Sequence, residues 1–108
     1  MSNAEKTELE LAAERLTAAF EASARARVST TEIQNEYAQA GYAFFEAYRR
    51  ANPQSIDYKA PSDEYARLQA EARKRVEDEL VAGGFIEVVE PPAGAKYGRY
   101  WNILQEWS

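Results

Sequence analysis

Residues 79–103 read ELVAGGFIEVVEPPAGAKYGRYWNI, and the rest of the architecture follows from how that stretch is parsed. Leu80 is the last apolar position of a helical period, and Gly83 and Gly84 then supply the left-handed backbone that ends a helix. FIEVVE and GRYWNILQ are β-branched and aromatic, the composition of a pleated, half-buried surface. PPAGAKY between them can continue neither helix nor ladder, because proline lacks the N–H that both require. The spacing predicts an antiparallel hairpin over about residues 85–105. Alternation puts Ile86 and Val88 on one face and Phe85 and Val89 on the other, while Trp101 and Ile103 oppose Tyr100 and Leu104. One face therefore packs on helices and the other is partly exposed.

Upstream, Tyr65, Leu68, Ala72, Val76 and Leu80 form one stripe of a helix over about residues 62–82, with Ser62 or Asp63 as its cap after Pro61. NPQSIDYKAPSDE, with two prolines and no period, predicts a surface connection of about ten residues. Before it, Ile33, Tyr37, Ala40, Phe44 and Tyr48 mark a helix over about 31–51, widened by Tyr42 and Phe45. Ser29 and Glu32 stand in the relation of a capping box, and this helix is expected at the centre of the core. Gly41 in its interior costs about 1 kcal/mol relative to alanine, which predicts close approach by another backbone. Leu9, Ala13, Leu16, Phe20 and Ala24 mark a first helix over about 5–27, whose many alanines favour tight packing against larger neighbours. Ser2, Asn3 and Ala4 resemble the remnant of an expression tag and receive no functional weight. The expected fold is a single α+β domain spanning residues 1–108, three helices followed by a C-terminal β-hairpin.

A stripe ending in Leu80, then GGFI, a strand, a Pro/Gly/Lys loop and a second strand beginning GRYW resembles the C-terminal half of a winged-helix domain, over about residues 62–107. The resemblance implies a recognition helix at about 62–82, a wing near Pro92–Gly98, and DNA binding. The connection before the third helix is longer than the short turn usual in that family, the first two helices are long, and no small strand fits between them. A winged-helix-like fold can thus exist without inherited DNA binding.

The 108 residues include no cysteine and no histidine, so thiol chemistry, the commonest general base and the commonest metal ligand are all missing. No phosphate-cradling glycine loop, EF-hand loop or serine elbow occurs, and no cofactor or metal is expected. Glu10 with Glu14, and Glu32 with Glu36, share helix faces but read as solubilising charge. Enzymatic activity is not expected. No apolar run reaches membrane-spanning length and no signal peptide is evident, so a cytoplasmic location and no membrane partner are expected.

Net charge is −5, concentrated in the N-terminal half: residues 1–48 carry four basic and eight acidic side chains, residues 49–108 nine and ten. Phosphate could be met only by Arg67, Arg73 and Lys74 on the third helix and by Lys96 and Arg99 on the wing. On the helix, Asp63, Glu71, Glu77, Asp78 and Glu79 stand four residues from Arg67, Arg73, Lys74 or Arg75, the pattern of a salt-bridge-laced solvated face. On the wing, Glu87 and Glu90 can pair with Lys96 and Arg99 across the hairpin.

The aromatics are the more positive signal. Tyr42 and Phe45 lie off the main stripe of their helix, and Tyr97 and Trp107 flank the second strand; on an acidic surface such side chains are typical interface anchors, although covering the core's edge would also explain them. The first expectation is a small non-enzymatic regulatory or inhibitory module that binds a protein partner, similar in size and acidity to phage-encoded inhibitors, with a homodimer through the N-terminal helices as an option. The alternative is a winged-helix, sequence-specific DNA-binding regulator, and a third option is a structural subunit of a larger assembly.

Overall fold

The computed structural model describes residues 5–54 and 57–107, so Ser2, Asn3 and Ala4 lie outside the described residues, as does part of the expected connection. It contains α1 (Glu8–Arg25), α2 (Thr31–Ala51), α3 (Lys59–Ala82), β1 (Ile86–Val89) and β2 (Tyr100–Ile103). Three helices followed by an antiparallel two-stranded hairpin make the α+β arrangement that the sequence predicts.

α2 starts at Thr31 as expected, whereas α1 and α3 do not start where expected, and local caps explain all three. α1 begins at Glu8 because Thr7 and Glu10 form a reciprocal capping box, in which Thr7 Oγ1 accepts from Glu10 N and Glu10 Oε1 accepts from Thr7 N. At α2 the cap is Thr30, accepting from Ile33 N at 3.2 Å; Ser29 instead accepts from the Gln34 side chain, so the Ser29–Glu32 box does not form. α3 starts at Lys59, three residues before the expected cap at Ser62. Pro61 falls inside its first turn, where no intrahelical partner for an N–H exists, and Asp57 Oδ1 accepts from Lys59 N at 2.9 Å.

The core is centred on α1 rather than on α2. Leu16, Ala19 and Phe20 of α1 pack with Ala40 and Phe44 of α2 and Ala72 of α3. α1 lies along both other helices, which themselves meet over only a short stretch. Small residues permit this double approach: Ala12 and Ala19 are buried on α1, Ala40 and Ala47 on α2, and Ala72 on α3. The apolar stripe of α1 is thus taken up within one chain. Phe20 meets Tyr37 and Tyr65 edge-on at 5.2 and 5.0 Å. Gly41 faces that same Tyr65 ring, not a backbone, and a β-carbon there would lie in ordinary contact, 3.5 Å from the ring. Burial, with the Tyr37 hydroxyl beside it, pushes the Tyr65 phenol up to about 12.

Bidentate arginine pairs join the helices at the surface. Arg15 donates to Glu36 (2.7 and 2.8 Å) and Arg50 to Glu8 (2.7 and 2.8 Å) between α1 and α2, and Arg25 bonds Glu79 between α1 and α3.

α3 ends in a Schellman arrangement: Phe85 N donates to Leu80 O at 2.9 Å, Gly84 N to Val81 O at 3.0 Å, and Gly84 has φ 76°. A β-carbon at Gly83 would lie 2.6 Å from the Phe85 ring, so the close turn requires glycine there. The turn aims β1 back along α3, with Ile86 opposite Ile103 and Val88 opposite Trp101. Ile86 joins Val76 and Leu80 in a second buried cluster, covered by Ala24, Phe85, Trp101 and Trp107.

Candidate functional site

The polar anchor of the hairpin is Glu77, which sequence spacing groups with Asp78 and Glu79 as surface charge. The whole residue is only 2 % exposed. Oε2 accepts from Arg99 Nη1 and from Trp101 Nε1, both at 2.7 Å, Arg99 Nη2 bonds Oε1, and Lys74 Nζ stands 3.8 Å away. The Arg99 guanidinium, helped by the indole N–H, holds the Glu77 carboxyl below the usual carboxylate range against the opposing effect of burial. Glu77 lies one position past Val76, so the α3 stripe widens where the hairpin covers it. A carboxylate beside a core valine was the available sequence signal.

The cations offered for phosphate are largely engaged. Arg67 bonds both Glu64 and Glu71, Lys74 bonds Asp78 at 2.7 Å, and Arg75 reaches Glu21 of α1 at 3.4 Å. Asp63 pairs with Lys59 rather than with Arg67. Arg73 lies over the Trp101 ring, 5.1 Å from its centroid, instead of pairing with Glu77. Arg99 bridges Glu77 and Glu90, its guanidinium pKa raised by both, while Glu87 accepts from Asn102. Lys96 makes no ion pair among the described residues. The structure therefore does not bring Arg67, Arg73, Lys74, Lys96 and Arg99 together as one uncompensated basic face.

Three of the four carboxylates paired on helix faces are likewise engaged: Glu10 in its capping box, Glu14 with Lys6, and Glu36 with Arg15. Among the described residues, no group of three or more acidic side chains is placed to hold a metal ion. Among the described residues, no helix is long and apolar enough to cross a membrane.

The four aromatic candidates separate into three places. Trp107 is half-buried: its Nε1 donates to Arg25 O at 2.6 Å, its ring meets Phe85 at 6.2 Å, and Arg27 stands over it at 4.9 Å. That indole caps the end of α1 and closes the hairpin cluster. Tyr97 is exposed and meets Tyr100 edge-on at 5.9 Å on the outer side of the hairpin. Tyr42 (77 % exposed) and Phe45 (36 %) lie one turn apart on α2, where Phe45 stacks on Tyr65 at 5.5 Å.

Phe45 also opens onto a cleft of about 290 Å³ between the end of α2 and the start of α3, walled by Tyr48, Pro53, Tyr58 and Pro61 and rimmed by Glu46, Arg49, Asn52 and Asp57. Tyr58, 81 % exposed, is the residue that sequence reasoning missed, because it lies in the connection read only as a period-less link. A larger cleft of about 540 Å³ lies beside Trp107, but the Arg25–Glu79 ion pair and the Trp107 indole that wall it already serve the packing of the hairpin.

Fold and surface together define a small three-helix domain with a polar-anchored hairpin and an aromatic cleft at one end. No protein-family model, curated protein or solved structure matches the chain.

Proposed function

We propose that this protein is a non-enzymatic, cytoplasmic regulatory or inhibitory module that binds a protein partner through the aromatic end of α2 and the start of α3. The observation that carries the reading is the apolar cleft lined by Phe45, Tyr48 and Tyr58, with the exposed Tyr42 one turn before Phe45 on α2. Large, rigid rings around a shallow apolar floor, with Glu46, Arg49 and Asp57 at the rim, match the core-and-rim composition of a protein interface. Of the α3 cations offered for nucleic acid, Arg67 and Lys74 are met by carboxylates of the same helix and Arg73 lies over the Trp101 ring, which disfavours the phosphate-led reading. The protein-binding reading therefore takes precedence over a winged-helix DNA regulator.

The test is retention from native lysate after nuclease treatment, comparing the parent chain with the Tyr42→Ala/Tyr58→Ala variant. Both rings are exposed, so the variant keeps its fold. The expected result is one protein retained in stoichiometric amount by the parent and lost by the variant. Recovery of nucleic acid instead, with retention abolished by nuclease or salt and indifferent to the two tyrosines, would overturn the proposal.

A further inference from the structure

The hairpin carries an interaction surface of its own, independent of the cleft on α2. Leu104 N donates to Phe85 O at 2.8 Å, so Leu104 faces β1 across the ladder. Antiparallel ladders alternate, and with Ile86 opposite Ile103 the backbones of Asn102 and Tyr100 face β1 as well. The N–H and C=O of Trp101 and Ile103 therefore point to the other edge of β2. Among the described residues no element lies along that edge, since only β1 packs its backbone on α3, and the sheet ends at β2. Exposed apolar side chains gather on the same strand and its flanks: Tyr97, Tyr100, Ile103 and Leu104. An open edge with apolar side chains is a template for another strand.

We propose that the occupant of this edge is a second copy of the chain, paired antiparallel through β2 about a two-fold axis at Asn102. The edge is self-complementary in that register. Trp101 exchanges both backbone bonds with Ile103 of the partner subunit, and Ile103 does the same with the partner's Trp101, so all four outward-facing groups of β2 are satisfied. Tyr100 falls opposite the partner's Leu104 on the outer face, and Asn102 opposite the partner's Asn102. No like charges meet, because β2 itself, Tyr100–Ile103, carries no charged side chain. A shift by two residues in one direction would instead set Arg99 against the partner's Ile103. In the resulting order β1–β2–β2–β1 the two α3 helices lie over strands three spacings apart, about 14 Å. That clears helices of about 10–12 Å diameter and leaves Trp101 and Ile103 of both copies as the floor between them.

Sedimentation equilibrium of the full chain tests this, together with two double variants at exposed positions. The parent is expected to show a monomer–dimer equilibrium with a dissociation constant on the order of 10 μM, as suits a small interface. Tyr100→Lys/Leu104→Lys sets lysine against lysine twice and is expected to raise that constant at least about tenfold. Tyr100→Lys/Leu104→Glu removes the same apolar groups but sets lysine against glutamate, and is expected to keep the dimer. A parent that stays monomeric at about thirty times that constant would overturn the proposal. Equal dimerisation by both variants would place the contact elsewhere, and loss of the dimer in both would refute the register.

Discussion

The two buried clusters of this domain are held by different physics. The cluster among α1, α2 and α3 is made of Leu16, Phe20, Phe44 and alanines, with no polar atom at its centre. The cluster under the hairpin is smaller, with Val76, Leu80 and Ile86 buried, and beside it lies a carboxylate that takes hydrogen bonds from Arg99 and Trp101. Apolar contact is non-directional and tolerates sliding, whereas a charged bidentate bond fixes orientation. The helices are thus held by volume, and the hairpin is aimed by charge.

The largest break in that comparison is Phe44→Ala. Phe44 is fully buried, so truncation is expected to destabilise the protein by about 4 kcal/mol, the transfer loss plus a cavity that rigid helices cannot close. Both tryptophans of the chain, Trp101 and Trp107, belong to the hairpin cluster, so their fluorescence follows the hairpin while far-ultraviolet ellipticity follows the helices. In urea, the Phe44→Ala midpoints by the two probes are expected to fall together, because the hairpin has only α3 and the end of α1 to rest on.

Glu77→Gln is expected to cost less, about 2 kcal/mol, because the amide keeps shape and an acceptor for the Trp101 indole while losing the charge that Arg99 meets. Its signature is pH dependence. The folded-state pKa of Glu77 is depressed, so the unfolded chain takes up the proton more readily. Its contribution is full above the ordinary glutamate range, declines as the pH falls through that range, and vanishes below the depressed folded value. Urea midpoints at pH 7 and pH 3 are expected to show the gap between parent and variant closing at the lower pH, first in fluorescence. An undiminished gap at pH 3 would mean that the side chain acts through packing alone.

The same contrast explains what was legible in the sequence. Elements held by periodic apolar contact could be read: the stripes Leu16–Phe20, Ala40–Phe44 and Ala72–Val76–Leu80 are the observed core, and Ile86 is the strand residue that enters it. The central role of α1 was hidden, because a stripe does not say how many neighbours it serves and alanines bury little area to advertise it. The Arg99–Glu90 pair across the hairpin was readable from facing strands, but contacts of α3 with charged groups on other elements were illegible. Spacing of four paired Lys74 with Asp78 as observed, but Arg73, Arg75, Glu77 and Glu79 find partners on β2, α1 and the wing that no local rule reaches. Of the site, Tyr42 and Phe45 followed from helical phase, whereas Tyr58 joins them only because Pro61 falls inside the first turn of α3 and brings the helix start beside α2.

Trp107 tests the boundary between the two kinds of attachment, and its expected effect is the smallest of the three. Position 107 has no periodic neighbour in sequence, and its indole bonds a carbonyl 82 residues away, at the last residue of α1. Trp107→Phe keeps most of the apolar cover over Leu80 and Phe85 but removes the N–H that satisfies Arg25 O, along with much of the attraction for Arg27. The carbonyl lies at a helix end where water can replace the lost donor, so the expected cost is about 1 kcal/mol rather than that of a stranded buried group. Because neither partner in the lost bond titrates, the deficit is expected to be equal at pH 7 and pH 3, in contrast to Glu77→Gln. Urea titrations of the two variants side by side decide it. A Trp107→Phe deficit that shrinks with acid would show that the C-terminal clasp depends on the Arg25–Glu79 ion pair beside it, and that the charge-held part of the molecule extends from the hairpin to the end of α1.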